Sequence, residues 1–211
     1  VTDHREQEAR AALVHACRHL SAAGLSPGSS GNLSVRVGSR IVATPTGSSL
    51  RSVLEHELAA TPADQEGAPR PTKELPLHAA MYAAHPEATA VIHLHSPYAT
   101  AVACLPPDER GFADLPPLTP YRVMRLGDVP LVPYAPPGSG DLAAGVAAAA
   151  PGHPVLLLAN HGPVVAAATL EAAIDLAEEL ETAARLTLLL RQAPAVALDA
   201  AAVAALTPPG R

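Results

Sequence analysis

Tryptophan is absent from this 211-residue chain and phenylalanine occurs once, while alanine and proline abound. Any core it builds is therefore one of small aliphatic side chains. Cysteine is scarce too: Cys17 and Cys104 lie far apart in alanine-rich, helix-like contexts. That argues against a disulfide and reads as two small buried hydrophobes in a reducing cytoplasm. Runs of like charge are missing and the net charge is −6, so nothing points to a nucleic-acid-binding surface. No apolar stretch reaches the ~18 residues of a membrane span; VLLLAN, from Val155, is strand-sized. The opening VTDHREQEAR is charged and helical in pattern, unlike a signal peptide. What remains is a chain long enough to bury a sizeable core, read as one domain over residues 1–211.

Helical and extended patterns alternate along it. Asp3–Ala23 is expected as an amphipathic helix with Ala9, Ala12, Leu13, Ala16 and Leu20 at helical spacing, a capping box of Asp3 and Glu6, and a stop at Gly24. NLSVRV and RIVAT alternate as two strands of a hairpin turning at Gly38–Ser39. Residues 46–71 are rich in turn formers, with a short helix around Glu55–Leu58. Thr72 suits the N-cap of a helix over Lys73–Ala84, with Pro76 near its first turn. Then come a strand at TAVIHLH, a helix at SPYATAVACL, and a proline-rich loop from Pro106 to Pro137 around a short strand near Leu131. Ser139–Ala149 reads as helix, PVLLLAN and GPVVAAA as strands, Thr169–Leu190 as a long helix, and the tail from Pro194 as weakly patterned. The alternation implies a mixed sheet covered by helices in one layered α/β domain.

Two histidines one residue apart, His93 and His95, end an apolar strand. Successive strand side chains face opposite ways, so these two share a face with Cα atoms ~7 Å apart and can converge on one ion. A bare His-x-His pair is also what a partly exposed strand end looks like. His161 ends another apolar strand, just before Gly162–Pro163. Three imidazoles plus an open position form the catalytic pattern for zinc, and imidazole also suits Mn, Co or Fe. His4, His15, His19, His56, His85 and His153 have no evident partners and are expected on the surface.

Glu74, in PTKELPLH, falls at a helix start, where a carboxylate either serves as a general acid/base or simply favours the helix dipole. His78, four residues on, either orients Glu74 or packs. PGSSGN and TPTG are small donor-rich loops of the kind that cradles phosphate, although most such loops are turns.

Taken in order, GSSGNLSVR, ATPTG, PTKE, AVIHLHSPYATAVA and ANHGPVV resemble the class II aldolase/adducin-head family, and the resemblance runs from Asp3 to Arg191. That family includes metal-dependent fuculose-phosphate aldolases and ribulose-phosphate 4-epimerases. The resemblance implies a three-layer α/β/α domain with a central mixed, largely antiparallel sheet. It further implies a homotetramer of four-fold symmetry with sites at subunit interfaces. It makes His93, His95 and His161 the ligands of one divalent ion per subunit, and Glu74 the catalytic acid/base. Ser29, Asn32, Thr46, Gly47 and Thr72 fall on phosphate-binding positions.

Two features depart from the fuculose-phosphate aldolases: Lys73 replaces a small hydroxyl residue before Glu74, and the tail ALDAAAVAALTPPGR lacks a tyrosine. LPPLTPYRVMRLGDVPLVPYAPPG, and ANHGPVV followed by AEELETAARL, resemble instead the 3-oxo-tetronate 4-phosphate decarboxylase branch, where a lysine also precedes the glutamate. The implied activity is decarboxylation of a phosphorylated 3-oxo sugar acid through a metal-bound enediolate. A sugar-phosphate aldolase or epimerase would use the same intermediate, and a non-catalytic adducin-like head would be expected to have lost the histidines. Lys73 would bind the substrate's phosphate or its departing carboxylate; the plainer reading is a solvated lysine. Tyr121, in LTPYRVMR, is the second candidate proton carrier, with packing as its ordinary role. The expected partner is a small sugar acid or sugar phosphate, not nucleic acid or membrane.

Overall fold

The computed structural model describes residues 4–63 and 66–207. Helix α1 (His4–Ala22) buries Leu13, Val14, Ala16, Cys17 and Leu20, while Ala12 faces solvent. Asp3 of the expected capping box lies outside the described residues. Glu6 is buried, and its carboxylate is held by Arg10 at 2.8 Å. Strands β1 (Asn32–Val37) and β2 (Arg40–Ala43) form the expected hairpin. Among its described residues, the turn-rich stretch after it contains a single 3₁₀ turn at Glu55–Glu57 and also strand β3 (Ala59–Thr61), paired with β2. Ala-Ala-Thr is too short and too poor in β-branched residues to announce a strand; its partner makes it one.

Helix α2 (Leu75–Ala84) begins two residues later than its pattern suggests, with Glu74 at the N-cap and Pro76 in the first turn. The Thr72 hydroxyl accepts the Glu74 N–H at 3.2 Å, so it fixes the approach to the helix rather than its first residue. The remaining elements are β4 (Ala90–His93), α3 (Pro97–Ala103), β5 (Leu131–Val132), α4 (Gly140–Ala149), β6 (Val155–Leu158), β7 (Gly162–Ala167), α5 (Leu170–Leu190) and α6 (Ala200–Leu206). The loop before β5 winds into one turn of π-type helix at Arg122–Leu126. The weakly patterned tail forms α6 behind an Asp199 cap that accepts the Ala202 N–H.

The seven strands run in the order β3-β2-β1-β4-β7-β6-β5, all pairs antiparallel except β5 with β6. Alternation along the central strands divides the core. Leu33, Ile92, Leu157 and Val165 pack beneath α1, α3 and α5. Val91, Leu156, Val164 and Ala166 pack beneath α2 and α4. The result is the expected three-layer α/β/α arrangement. Each fully buried Leu, Ile or Val contributes ~1.5–3 kcal/mol, and their number compensates for the missing aromatics.

Two surface expectations need correction. Cys104 is exposed at the end of α3, although Cys17 is buried, and both are free thiols. His85 is buried, because the end of α2 tucks under the turn before β6 and brings its Nε2 to 3.2 Å from the His153 carbonyl. His4 and His19 are exposed but partnered, by Glu8 and Glu178.

The register sets up everything that follows. Asn32 lies opposite His93, and His93 opposite Val164. The start of β1, the end of β4 and the start of β7 thus meet at one end of the sheet, where α2 also begins.

Candidate active site

His93 is the last residue of β4 and points to the α2 side, as its neighbour Val91 does. His95 lies two residues beyond the strand, in the short segment before α3. His161 sits in the tight turn between β6 and β7, where Asn160 takes a positive φ of 55°. These three positions converge. Ring centroids are 5.0 Å apart for His93–His95, 4.7 Å for His93–His161 and 4.8 Å for His95–His161.

Two glycines permit the convergence. A Cβ on Gly162 would lie 2.2 Å from the Leu94 carbonyl oxygen. A Cβ on Gly31, at φ +77°, would lie 2.3 Å from the Ser26 hydroxyl and 3.1 Å from the His93 carbonyl oxygen. The Gly162 turn approaches the end of β4 more closely than any side chain would allow, and the Gly31 loop is tight against both Ser26 and the His93 carbonyl.

The imidazoles are suited to a cation. His93 Nδ1–H donates to the Pro163 carbonyl at 2.8 Å, which leaves the Nε2 lone pair facing inward. His93 Nε2 and His95 Nε2 lie 3.2 Å apart, an arrangement that a shared positive charge would relieve. Potential ligand atoms of all three histidines lie within 4.8 Å of one another. Burial lowers each of their pKa values, that of His93 most, and the neighbouring His161 lowers His93 and His95 further. Neutral imidazole is the form that binds metal. This donor set fits a divalent ion with a position left open.

Glu74 completes the floor. Its Oε2 is 3.5 Å from His93 Nε2, and its Oε1 is 3.5 Å from His161 Nε2. Oε2 accepts from Asn32 Nδ2 at 2.8 Å, whereas Oε1 is buried without a hydrogen-bond partner. Above lies a cleft of about 240 Å³, walled by Ser29, Ser30 and Gly31, by Thr46, Gly47 and Ser48, and by Thr72 and Lys73. Lys73 is the chain's one lysine. Its stem runs beneath Gly138, where an added Cβ would come within 3.2 Å of it.

The structure therefore gathers ten of the eleven residues singled out from sequence: the three histidines, Glu74, Ser29, Asn32, Thr46, Gly47, Thr72 and Lys73. Asn32, placed on phosphate by resemblance, is only 6 % exposed, and its amide is engaged by Glu74 and His78. Tyr121 stands apart. It is 59 % exposed, lies outside the cleft, and has the Arg125 guanidinium 5.8 Å from its ring. Glu181 of α5 was not foreseen. Its carboxylate accepts the N–H groups of Tyr98 and Ala99 at 2.9 and 2.8 Å, tying the segment after His95 to α5.

Known proteins share this plan. The pattern of the Class II Aldolase and Adducin N-terminal domain matches residues 11–188. The 3-oxo-tetronate 4-phosphate decarboxylase of Escherichia coli K12 is 39 % identical over 204 residues, covering 95 % of this chain and 96 % of that protein. The L-fuculose phosphate aldolase of the same organism is 32 % identical over 180 residues, or 83 % and 80 % of the two chains. The crystal structure of YgbL from Klebsiella pneumoniae, an aldolase/epimerase/decarboxylase candidate, superposes with a TM-score of 0.89 at 39 % identity, over 96 % of this chain and 99 % of that one. With the histidine cluster, Glu74 and the donor-rich cleft in place on a three-layer fold, the chain belongs to the class II aldolase/adducin N-terminal domain family.

Proposed function

We propose that this protein is a metal-dependent carbon–carbon lyase that decarboxylates a phosphorylated 3-oxo sugar acid such as 3-oxo-tetronate 4-phosphate. One observation carries the reading: a carboxylate oxygen, Glu74 Oε1, buried and unpartnered beside three neutral imidazoles, under a cleft whose rim holds the chain's single lysine. Similarity to the E. coli decarboxylase over nearly the full length of both chains supports the substrate class.

His93, His95 and His161 would hold the divalent ion, zinc first, with Mn, Co or Fe as alternatives. When bound, it supplies Lewis acidity that polarises the substrate's 3-oxo group. The chain's own residues do the rest. Ser29, Thr46, Gly47 and Thr72 receive the phosphate from two loops and the approach to α2. Lys73 meets the carboxylate. Breaking the C1–C2 bond releases CO₂ and leaves its electron pair as an enediolate over C2, C3 and the 3-oxygen. Glu74, as the acid, delivers a proton from Oε1 to C2, giving a hydroxyketone phosphate. Asn32 holds the other carboxylate oxygen throughout.

Tyr121 can meet a cleft only if a neighbouring copy presents it, so its role as a second proton carrier belongs with the homotetramer proposed from the family. The protein's place in this reading is the cytoplasm, in keeping with two free thiols. An aldolase acting on a ketose phosphate through the same enediolate is the second reading, supported by similarity to the fuculose phosphate aldolase. Purified, metal-loaded protein offered 3-oxo acid phosphates and ketose phosphates separates the two: CO₂ from the former supports the decarboxylase, and aldehyde from the latter overturns it.

A further inference from the structure

A line of buried polar atoms leaves Glu74 and runs away from the cleft, between the sheet and α2. Glu74 Oε2 meets Asn32 Nδ2 at 2.8 Å, and Asn32 Oδ1 meets His78 Nε2 at 2.6 Å. His78 Nδ1 meets the Ser34 hydroxyl at 2.8 Å, and that hydroxyl meets Tyr82 OH at 3.0 Å. Asn32 and Ser34 are alternate residues of β1, and His78 and Tyr82 are one turn apart on α2, so each pair shares a face. His78 and Ser34 are wholly buried, and neither they nor Tyr82 line the cleft. Four polar side chains buried beside Leu77, Met81 and Val91 are costly to desolvate unless each is satisfied.

Counting protons gives the line a direction. With the acid's proton on Oε1, Glu74 Oε2 has no hydrogen and only accepts, so Asn32 turns Nδ2 to Glu74 and its carbonyl Oδ1 to His78. Oδ1 also only accepts, so His78 Nε2 carries a hydrogen. Burial pushes the His78 imidazole down to about 3 and keeps it neutral, which leaves Nδ1 with a lone pair. The Ser34 hydroxyl donates to that lone pair. The single Tyr82 proton is shared among the hydroxyl and carbonyl oxygens of Ser34, both at 3.0 Å, and the Thr89 carbonyl at 3.4 Å, and closes the far end of the line. From Ser34 through His78 and Asn32, every donor points toward Glu74.

We propose that His78, held as its Nε2–H tautomer by this one-way chain, is a positioning residue for the reaction, acting through Asn32 to commit Glu74 Oε2 to accepting and so to aim the unpartnered Oε1 at the substrate. The proposal rests on Glu74 being the acid/base. His78 never touches the reacting atoms. Without its N–H, Asn32 Oδ1 loses its donor, the amide is free to rotate, and Glu74 loses the bond that fixes its rotation.

The test combines spectroscopy and kinetics. Two-bond ¹H–¹⁵N correlations on the zinc-loaded wild-type protein should show His78 protonated at Nε2; an Nδ1–H tautomer overturns the proposal. His78→Leu, which cannot donate, should keep its metal content and KM but lose kcat by ~10- to 100-fold, the cost typical of outer-shell partners. His78→Gln, whose amide can supply an N–H, should recover most of that loss. Because His78 acts through Asn32, the Asn32→Ala/His78→Leu double variant should be no slower than Asn32→Ala alone; additive losses overturn that route. A fully active His78→Leu alongside an inactive Glu74→Gln sinks the positioning role alone. A fully active Glu74→Gln sinks the acid/base reading beneath it. If His78→Leu fails to fold, the wild-type tautomer and the kcat of His78→Gln still decide, since a Gln variant no better than Asn32→Ala overturns the proposal.

Discussion

Gly162 lies against the carbonyl of Leu94 so closely that a Cβ on it would stand 2.2 Å from that oxygen. This contact lets the turn carrying His161 reach the segment carrying His95. Gly162→Ala must push the two apart, and overpacking of this kind costs ~1–3 kcal/mol. The variant is expected to melt lower and to lose metal by elemental analysis. His161→Ala, which removes the ligand but not the fit, should lose metal with little loss of stability. A Gly162→Ala protein that keeps native stability and a full metal complement would show that the contact is not what brings the ligands together.

Glu74→Gln preserves shape and the Asn32 contact but removes the exchangeable proton. It should bind metal, fold normally and lose kcat by ~10²–10⁴-fold, the range of general acid/base groups. Steady-state kinetics on metal-loaded protein reads this directly. A rate close to that of the wild type would move the proton to Tyr121.

Lys73 is expected to discriminate between substrates. A 3-oxo acid phosphate carries a carboxylate as well as a phosphate, and a charge-assisted contact contributes roughly 1.5–3 kcal/mol, about 10- to 150-fold in affinity. Lys73→Ser should raise KM for such a substrate within that range and leave any cleavage of ketose phosphates unchanged or improved. An unaltered KM would leave Lys73 as a solvated side chain.

Stability should fall in acid, and the histidines set where. Burial lowers His78 to about 3 and also lowers His93, His95 and His161. An unfolded imidazole takes up its proton near ~6.5, while these folded ones resist it. Below that pH the unfolded chain binds more protons than the folded one, so stability declines as pH falls, from near 6.5 down toward the folded values. His78 alone accounts for ~2 kcal/mol of loss by about pH 5. Urea midpoints of the metal-free protein at about pH 7.5, 6 and 5 should drop in that order, and His78→Leu should flatten the slope. A midpoint that does not move would mean that the imidazoles are solvated.

The histidine cluster was legible because strand periodicity is strict. Two residues along an extended chain return to the same face, so His93 and His95 announce themselves, and Gly162–Pro163 marks where His161 must turn. Glu74 was legible as a helix-start carboxylate. The polar line behind it was only half visible. His78 stands out at four residues from Glu74, but its true partner is Asn32, on a strand 42 residues before Glu74. Only the register of β1 against β4 brings that strand beside α2. Glu181 was hidden for the same reason, since its partners are 83 and 82 residues away. Strand β3 is too short, and helix α6 too uniformly apolar, to show a period of its own.

Lys73, with its stem beneath Gly138, is the only side-chain amine in the sequence. Acylating reagents, glutaraldehyde fixation and amine-coupled supports therefore find their one lysine target at the rim of the cleft. Immobilising this protein through lysine would plug it, whereas attachment through the exposed thiol of Cys104 would leave that amine untouched. Labelling at Lys73 itself, read by peptide mapping, would in turn report on whether the cleft is open or filled.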